Sequence, residues 1–397
     1  MRVLMLSWEY PPLVVGGLGR HVDALARELA AAGHDVVVLT RGEASSVVEE
    51  VRDGVRVRRS AVDPIAVDFT TESLLAWSQV CEHGLLRAAL PLVRRWRPDV
   101  VHAHDWLVAQ SGVTLAQVSG AALVVTMHAT EAGRHQGWLP EPLNLAIHSV
   151  ERWMAHQAAA VITCSTAMRA EVGRQLEIRT EAIAVVPNGI DPARWRVTGG
   201  AQRAARAHHA GGGPLLVFAG RLVHEKGVQT LLDALPALRR RHPGLRLVIA
   251  GTGIYADQLR ARARARRVSS SVQWPGFVAE DDLARLFSAA DAAVVPSLYE
   301  PFGIVALEAA ATGTALIVSE TGGLQDLVDA RAVAASFPPR DVRALTEAVD
   351  ATLADPASAR RAAARASRLI RRDYTWAAVA ARTAEVYGEA AGPRAGE

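Results

Sequence analysis

Cysteine is scarce in this chain of 397 residues, which holds only Cys81 and Cys164, far apart. That excludes a disulfide framework and a zinc site built on thiolates. Aromatic residues reach only 5%, and no apolar run approaches the ~18 residues of a membrane span; 121–127 is typical of the longest. The N-terminal run, 1–7, is too short for a secretion signal, so a soluble, cytoplasmic protein is expected. Neither sign of charge dominates. Forty-four basic residues against 41 acidic leave a formal +3, too little for a nucleic-acid coat.

Lysine is almost missing, since Lys226 is the only one among the basic residues. A chain that uses arginine wherever any cation suffices marks its one lysine as a place that wants a compact ammonium. No Asp-x-Asp pair occurs, which argues against a metal-chelated nucleotide-sugar site. A His/His/Asp metal set from His104, Asp105 and His128 is conceivable, but no further ligands stand at helical spacing, so no metal is assigned.

What is present in quantity is apolar residue, 50% of the chain with 21% charged, enough for large cores and at this length two or three domains. Short Val/Ile/Leu runs at 3–6, 36–40, 100–103, 123–127, 161–164 and 183–186 alternate with segments of helical period, such as 21–31. A second series runs through 215–219, 245–250, 272–274, 292–296 and 315–319. This alternation predicts an α/β protein, two doubly wound parallel sheets covered by helices. The expected organisation is 1–190, 191–373 and a C-terminal helix with tail at 374–397 that packs back on the first domain. The five glycines within 199–213 are read as the interdomain linker, and the tail after Gly388 as frayed. Ligands in such folds bind beyond the carboxyl ends of strands, so a cleft between two facing domains is expected.

Several motifs stand at those strand ends. Gly16-Gly17-Leu18-Gly19 follows the first strand, where backbone amides and a helix N-terminus favour an anion. Arg221 and Lys226 follow the first strand of the second series, placed to clamp a diphosphate. Glu300-Pro301-Phe302-Gly303-Ile304 opens a helix whose amides at Gly303 and Ile304 point where Glu300 faces, and Glu308 lies about one turn further on. Two carboxylates beside a helix N-terminus suit sugar hydroxyls, although a structural ion pair explains Glu308 as well. Gly251-Thr252-Gly253 partly matches a dinucleotide fingerprint, but the acid expected on the next strand is missing and a tight turn suffices. The alternating Arg and Ala of 260–267 read as a solvated helix surface. The basic amphipathic stretch 85–97 is read as docked on its own sheet, with membrane contact the lesser option.

Together these residues resemble a retaining GT-B glycosyltransferase of family four, over nearly the whole chain. The specific elements are Glu300 and Glu308 within Glu-Pro-Phe-Gly…Leu-Glu-Ala, Gly-Arg-Leu…Glu-Lys-Gly, Pro-Asn-Gly-Ile-Asp at 187–191, and the Tyr-Thr-Trp opening of the last helix. The resemblance implies a nucleotide-diphosphate sugar held without a metal. Arg221 and Lys226 would grip the pyrophosphate, Glu308 the ribose, and Glu300 with the Gly303 and Ile304 amides the donor sugar. Phe277 and Val278 would flank the base, the Gly16-Gly17 loop would close over the phosphate, and His128, with Asp105, would work near the reacting carbon.

Ser7-Trp8-Glu9-Tyr10-Pro11-Pro12 and His104-Asp105-Trp106 are similar to glycogen and starch synthases, although Val14 stands where those carry a lysine. The fuller match is to actinobacterial α-1,4-glucosyltransferases, which implies ADP-glucose or UDP-glucose as donor and a glucan acceptor. Trp8, Glu9, Tyr10, Trp106 and Trp138 would meet that acceptor. A family-four mannosyl- or N-acetylglucosaminyltransferase, a nucleotide-sugar epimerase and a non-catalytic sugar-binding protein are the rival readings.

Overall fold

A computed structural model describes residues 1–392. It divides into two compact units, the first made of Met1–Gly189 with the last helix, Trp376–Ala391, and the second of Ile190–Thr375. The chain thus crosses between units at Gly189 and at Thr375, without a glycine-rich linker. The segment expected as that linker is a helix, Gly199–His209, capped by the Thr198 hydroxyl and tied down by Arg206 to Asp291 at 2.9 Å. Its glycines sit at the helix start and beyond its end, where they punctuate a run of Ala, Gln and Arg that favours helix. The last helix continues past Gly388 to Ala391; the rest of the expected frayed tail, 393–397, lies outside the described residues.

The first unit carries eight strands: β1 (Arg2–Leu6), β2 (Asp35–Thr40), β3 (Val48–Arg52), β4 (Val55–Arg59), β5 (Val100–His104), β6 (Ala122–Met127), β7 (Ala160–Thr163) and β8 (Ile183–Val185). They form one sheet in the order β3-β4-β2-β1-β5-β6-β7-β8, parallel except for the β3/β4 pair. Strands buried on both faces read as continuous apolar runs, as β1 and β2 do. Val3 and Met5 join one core cluster with Val22, Leu25 and Leu29 of the first helix, Gly17–Ala31, and Val379 and Tyr387 of the last. The basic amphipathic stretch belongs to the helix Leu74–Trp96, whose Leu85, Ala88, Ala89 and Val93 are buried, and which packs on the helix Ala109–Ser119.

In the second unit β9 (Leu215–Ala219), β10 (Arg246–Ala250), β11 (Val272–Gly276), β12 (Ala292–Val295), β13 (Leu316–Ser319) and β14 (Ala335–Phe337) form an all-parallel sheet ordered β11-β10-β9-β12-β13-β14. Leu216, Ile249, Val294 and Ile317 anchor its core. The partial fingerprint at Gly251 is a tight turn folded onto the backbone after β9, with the Leu222 amide donating to the Thr252 carbonyl. On the Arg-rich helix Ala256–Ala265, Arg262 pairs with Asp233 and Arg260 lies over Trp274, a surface arrangement.

Strand order reverses between β1 and β5 in the first sheet and between β9 and β12 in the second. In doubly wound sheets such switch points leave a crevice at the carboxyl ends of the strands. No helix among the described residues is long and apolar enough to cross a membrane.

Candidate functional site

The second unit gathers its motifs at the β9/β12 switch point. Lys226 sits in a short 3-10 turn, His224–Lys226, after β9, and Glu300 follows β12. The Lys226 Nζ donates to Glu300 Oε2 at 2.7 Å, and the Ser297 hydroxyl donates to the same oxygen at 3.0 Å. Both side chains are largely covered, at 19% and 8% exposure, so separating them would strand a charge in a poorly solvated place.

Backbone packing fixes this pair. Gly227, at φ 70, has no room for a Cβ, which would stand 1.8 Å from the Pro296 carbonyl oxygen. Gly322, at φ 53, is pressed in the same way against the Glu300 carbonyl, while the Gly323 amide donates to that carbonyl at 2.8 Å. The Leu298 amide donates to the Glu225 carbonyl at 2.7 Å, so the loop after β9 is stitched to the loop after β12.

Beside Glu300 the helix Ile304–Ala311 begins, with Gly303 as its left-handed first cap at φ 95. Its early amides have no intrahelical acceptors, as at any helix start. Glu308 is half-buried on that helix. Arg221 has a side chain 76% exposed and approaches Glu225 at 3.9 Å. Phe277 is 75% exposed, and Val278 beside it half-buried, just past β11. Arg221, Lys226, Glu300 and Glu308, expected to meet in an inter-domain cleft, therefore all belong to the second unit, which brings Lys226 and Glu300 together and leaves Arg221 in solvent.

In the first unit the β1/β5 switch point is occupied by histidines. His102 and His104 share a face of β5, as residues two apart on a strand do. His102 is wholly buried, bonded at 2.7 Å to both Tyr387 Oη and Thr126 Oγ1. His104 Nδ1 lies 3.1 Å from His128 Nε2. His21, from the first helix, stands edge-on to His128 and pairs through Nδ1 with Asn188 Oδ1 at 2.8 Å. Burial keeps these rings neutral; it pushes the His128 pKa down to about 4. His128 is thus a hydrogen-bonding group at neutral pH rather than a cation.

Asp105, at φ 60 and ψ 172, holds a backbone conformation that only glycine adopts freely. Its amide donates to the Thr126 carbonyl at 3.0 Å and its Oδ1 accepts from the His128 amide at 2.8 Å, which ties the ends of β5 and β6 together. Burial raises its carboxyl pKa to about 6. These bonds hold the strained backbone in place at the switch point.

Several residues expected to touch ligand are instead part of the scaffold. Glu9 is 1% exposed, and its carboxylate accepts from the Val15, Gly16 and Gly19 amides at 2.5, 2.9 and 2.8 Å. It is an internal anion for the glycine loop, so an acceptor does not reach it, and the Gly16 amide is already committed; Gly17 stays exposed. Tyr10 is wholly buried and packs in the core of the first unit. Trp106 is buried in the turn after β5. Trp8 is covered too, its ring stacked on Phe69 at 5.4 Å and edge-on to Trp77 at 5.8 Å. Of the expected acceptor aromatics only Trp138, 72% exposed, presents a bare ring, whereas half-exposed Phe69 was not singled out in the sequence. His21, Asn188 and Ser297 carry no sequence signal of their own, apart from the place of Asn188 in Pro-Asn-Gly-Ile-Asp.

The family model described as Glycosyltransferase Family 4 matches residues 15–194, and that described as Glycosyl transferases group 1 matches 202–369. The chain is 46% identical to a glycogen synthase of Mycobacterium tuberculosis, over 98% of this chain and 94% of that one. It is 31% identical to an α-maltose-1-phosphate synthase of the same species, covering 98% and 99%. Among solved structures, a sucrose-phosphate synthase from Thermosynechococcus elongatus superposes with a TM-score of 0.82 at 25% identity, covering 97% of this chain and 98% of that one.

Proposed function

The chain belongs to glycosyltransferase family 4, with the two Rossmann-like units of the GT-B fold, and we propose that it is a retaining glucosyltransferase that extends an α-1,4-glucan. The donor is a nucleotide-diphosphate-glucose, ADP-glucose or UDP-glucose. The bond from the sugar C1 to the diphosphate oxygen breaks, and a bond from C1 to the 4-hydroxyl of the terminal glucose forms with the α configuration kept.

The observation that carries this reading is the Lys226–Glu300 contact at the switch point of the second sheet. An ammonium has three donors and Glu300 takes one, so the others can meet diphosphate oxygens as charge builds on the leaving group. Arg221, free to swing in solvent, adds a second cation. Glu300 and the amides of Gly303 and Ile304 hold the donor sugar, Glu308 the ribose, and Phe277 with Val278 the base. In the first unit, neutral His128 and strained Asp105 offer hydrogen bonds to sugar hydroxyls. No resident metal takes part in this scheme, because fixed cations and amides do that work. A cytoplasmic location belongs to the same reading, since a charged donor does not cross a membrane unaided.

The relative at 46% identity supports glucose and a glucan over mannose, N-acetylglucosamine or an epimerase reaction. A donor panel tests this through nucleotide release with and without a maltooligosaccharide. Acceptor-dependent release from ADP-glucose or UDP-glucose is expected. Release from GDP-mannose alone, or turnover indifferent to acceptor, contradicts the assignment.

A further inference from the structure

The histidine cluster contains more ligating capacity than sugar binding needs. We propose that His21, His104 and His128 form a site for one divalent transition-metal ion, best suited to Zn²⁺, and that the bound ion inhibits transfer.

One ring nitrogen from each of the three lies within 4.8 Å of the other two. A tetrahedral zinc with Zn–N of ~2.0–2.1 Å spaces its nitrogens about 3.3 Å apart. The observed 3.1 Å between His104 Nδ1 and His128 Nε2 already approaches that spacing. Closing the third side asks for a swing of the His21 ring of about 1–1.5 Å to reach it. The rings come from the first helix, β5 and the end of β6, which are rigid supports.

The outer bonds suit ligation. Asn188 Oδ1 accepts from His21 Nδ1 at 2.8 Å, which fixes the tautomer that leaves Nε2 with a lone pair for the ion. His104 is wholly buried, and its Nε2 has no hydrogen-bond partner among the described residues. One ring proton lies between His104 Nδ1 and His128 Nε2, so ligation moves it to the far nitrogen of the ring that carries it, Nε2 in the case of His104, and releases no proton. Three imidazoles and an open fourth position make a soft-to-borderline site that disfavours Mg²⁺ and Ca²⁺.

Inhibition follows because the ion would tie up the His128 ring that the proposed function assigns to sugar hydroxyls; this consequence rests on the function proposed above, whereas the site itself does not. The test is titration of the full-length, untagged protein with Co²⁺, read by visible absorption. One equivalent should give the intense bands of a four-coordinate site, and one equivalent of Zn²⁺ should bleach them. Asn188→Ala should weaken binding 10–100-fold, as loss of an outer partner does, and His21→Gln should abolish it, with melting curves confirming that each variant folds.

Zinc-edge X-ray absorption on the unaltered protein should show three imidazole ligands whether or not the variants fold. No saturable Co²⁺ spectrum, weak six-coordinate bands, or unchanged affinity in folded His21→Gln overturns the site. Stoichiometric Zn²⁺ binding with undiminished nucleotide release keeps the site and removes His128 from the transfer.

Discussion

Asp105, Glu82 and Glu151, all in the first unit, have carboxyl pKa values pushed up to about 6, 7 and 8, in each case chiefly by burial. The unfolded chain titrates these groups near ~4, so at higher pH the folded state holds the extra protons and stability falls as pH rises through the folded values. The buried histidines act oppositely, around and below the ordinary value of 6.5, and only by about pH 7.5 are they neutral in both states. Between roughly pH 7.5 and 8.5 the carboxyl slope therefore dominates, and the melting temperature should fall. Glu151→Gln keeps an acceptor for the Glu131 amide while removing the charge, and should flatten that fall; a wild-type melting temperature that rises across the window contradicts the assignment. At the second sheet Lys226→Ala should reduce kcat by roughly 30- to 1,000-fold, the ~2–4 kcal/mol expected for removing a charge clamp, without loss of fold; unchanged turnover would remove Lys226 from the site. Lys226 was legible from composition alone. The His21–Asn188 pair was not, because its members lie 167 residues apart and only the folded first unit joins them.

The first helix starts at a loop whose anion is built in. Three amides converge on the Glu9 carboxylate, and hydrogen bonds to a charged acceptor are each worth about 1.5–3 kcal/mol. Val15 and Gly16 are exposed, so water can replace two of these bonds, and Glu9→Ala should cost about 2–4 kcal/mol of stability, seen as a lower urea midpoint, with Glu9→Gln less damaging; a midpoint unchanged in Glu9→Ala would mean that the loop holds itself. The sequence showed the glycine loop but not its occupant, since a carboxylate beside a glycine run reads equally as ligand contact or cap. Most parallel strands were legible because burial on both faces makes continuous apolar runs. β3 was not. All five of its residues are exposed, and an edge strand reading Val-Glu-Glu-Val-Arg has neither an apolar run nor clean alternation. The helix Gly199–His209 was hidden for the converse reason: it has no buried residue, so no apolar stripe announced it.

Across the whole molecule, repeating strand–helix rhythm carried the two-unit architecture, and strand order placed the motifs. The parallel strands of each sheet reverse their order once, and Lys226 with Glu300, and His104 with Asp105, stand at those two reversals. Covering was the property that linear reading lacked: Tyr10 and Trp106 sit near strand ends like the other candidates, yet neighbouring elements bury them. The proposed act is the transfer of glucose from a nucleotide diphosphate to a growing glucan. Proton NMR of a maltooligosaccharide incubated with the protein and ADP-glucose or UDP-glucose measures that act itself. New α-1,4 anomeric signals growing in step with free nucleotide are the predicted result; nucleotide released with no new glycosidic bond, or a β-linked product, would contradict the account.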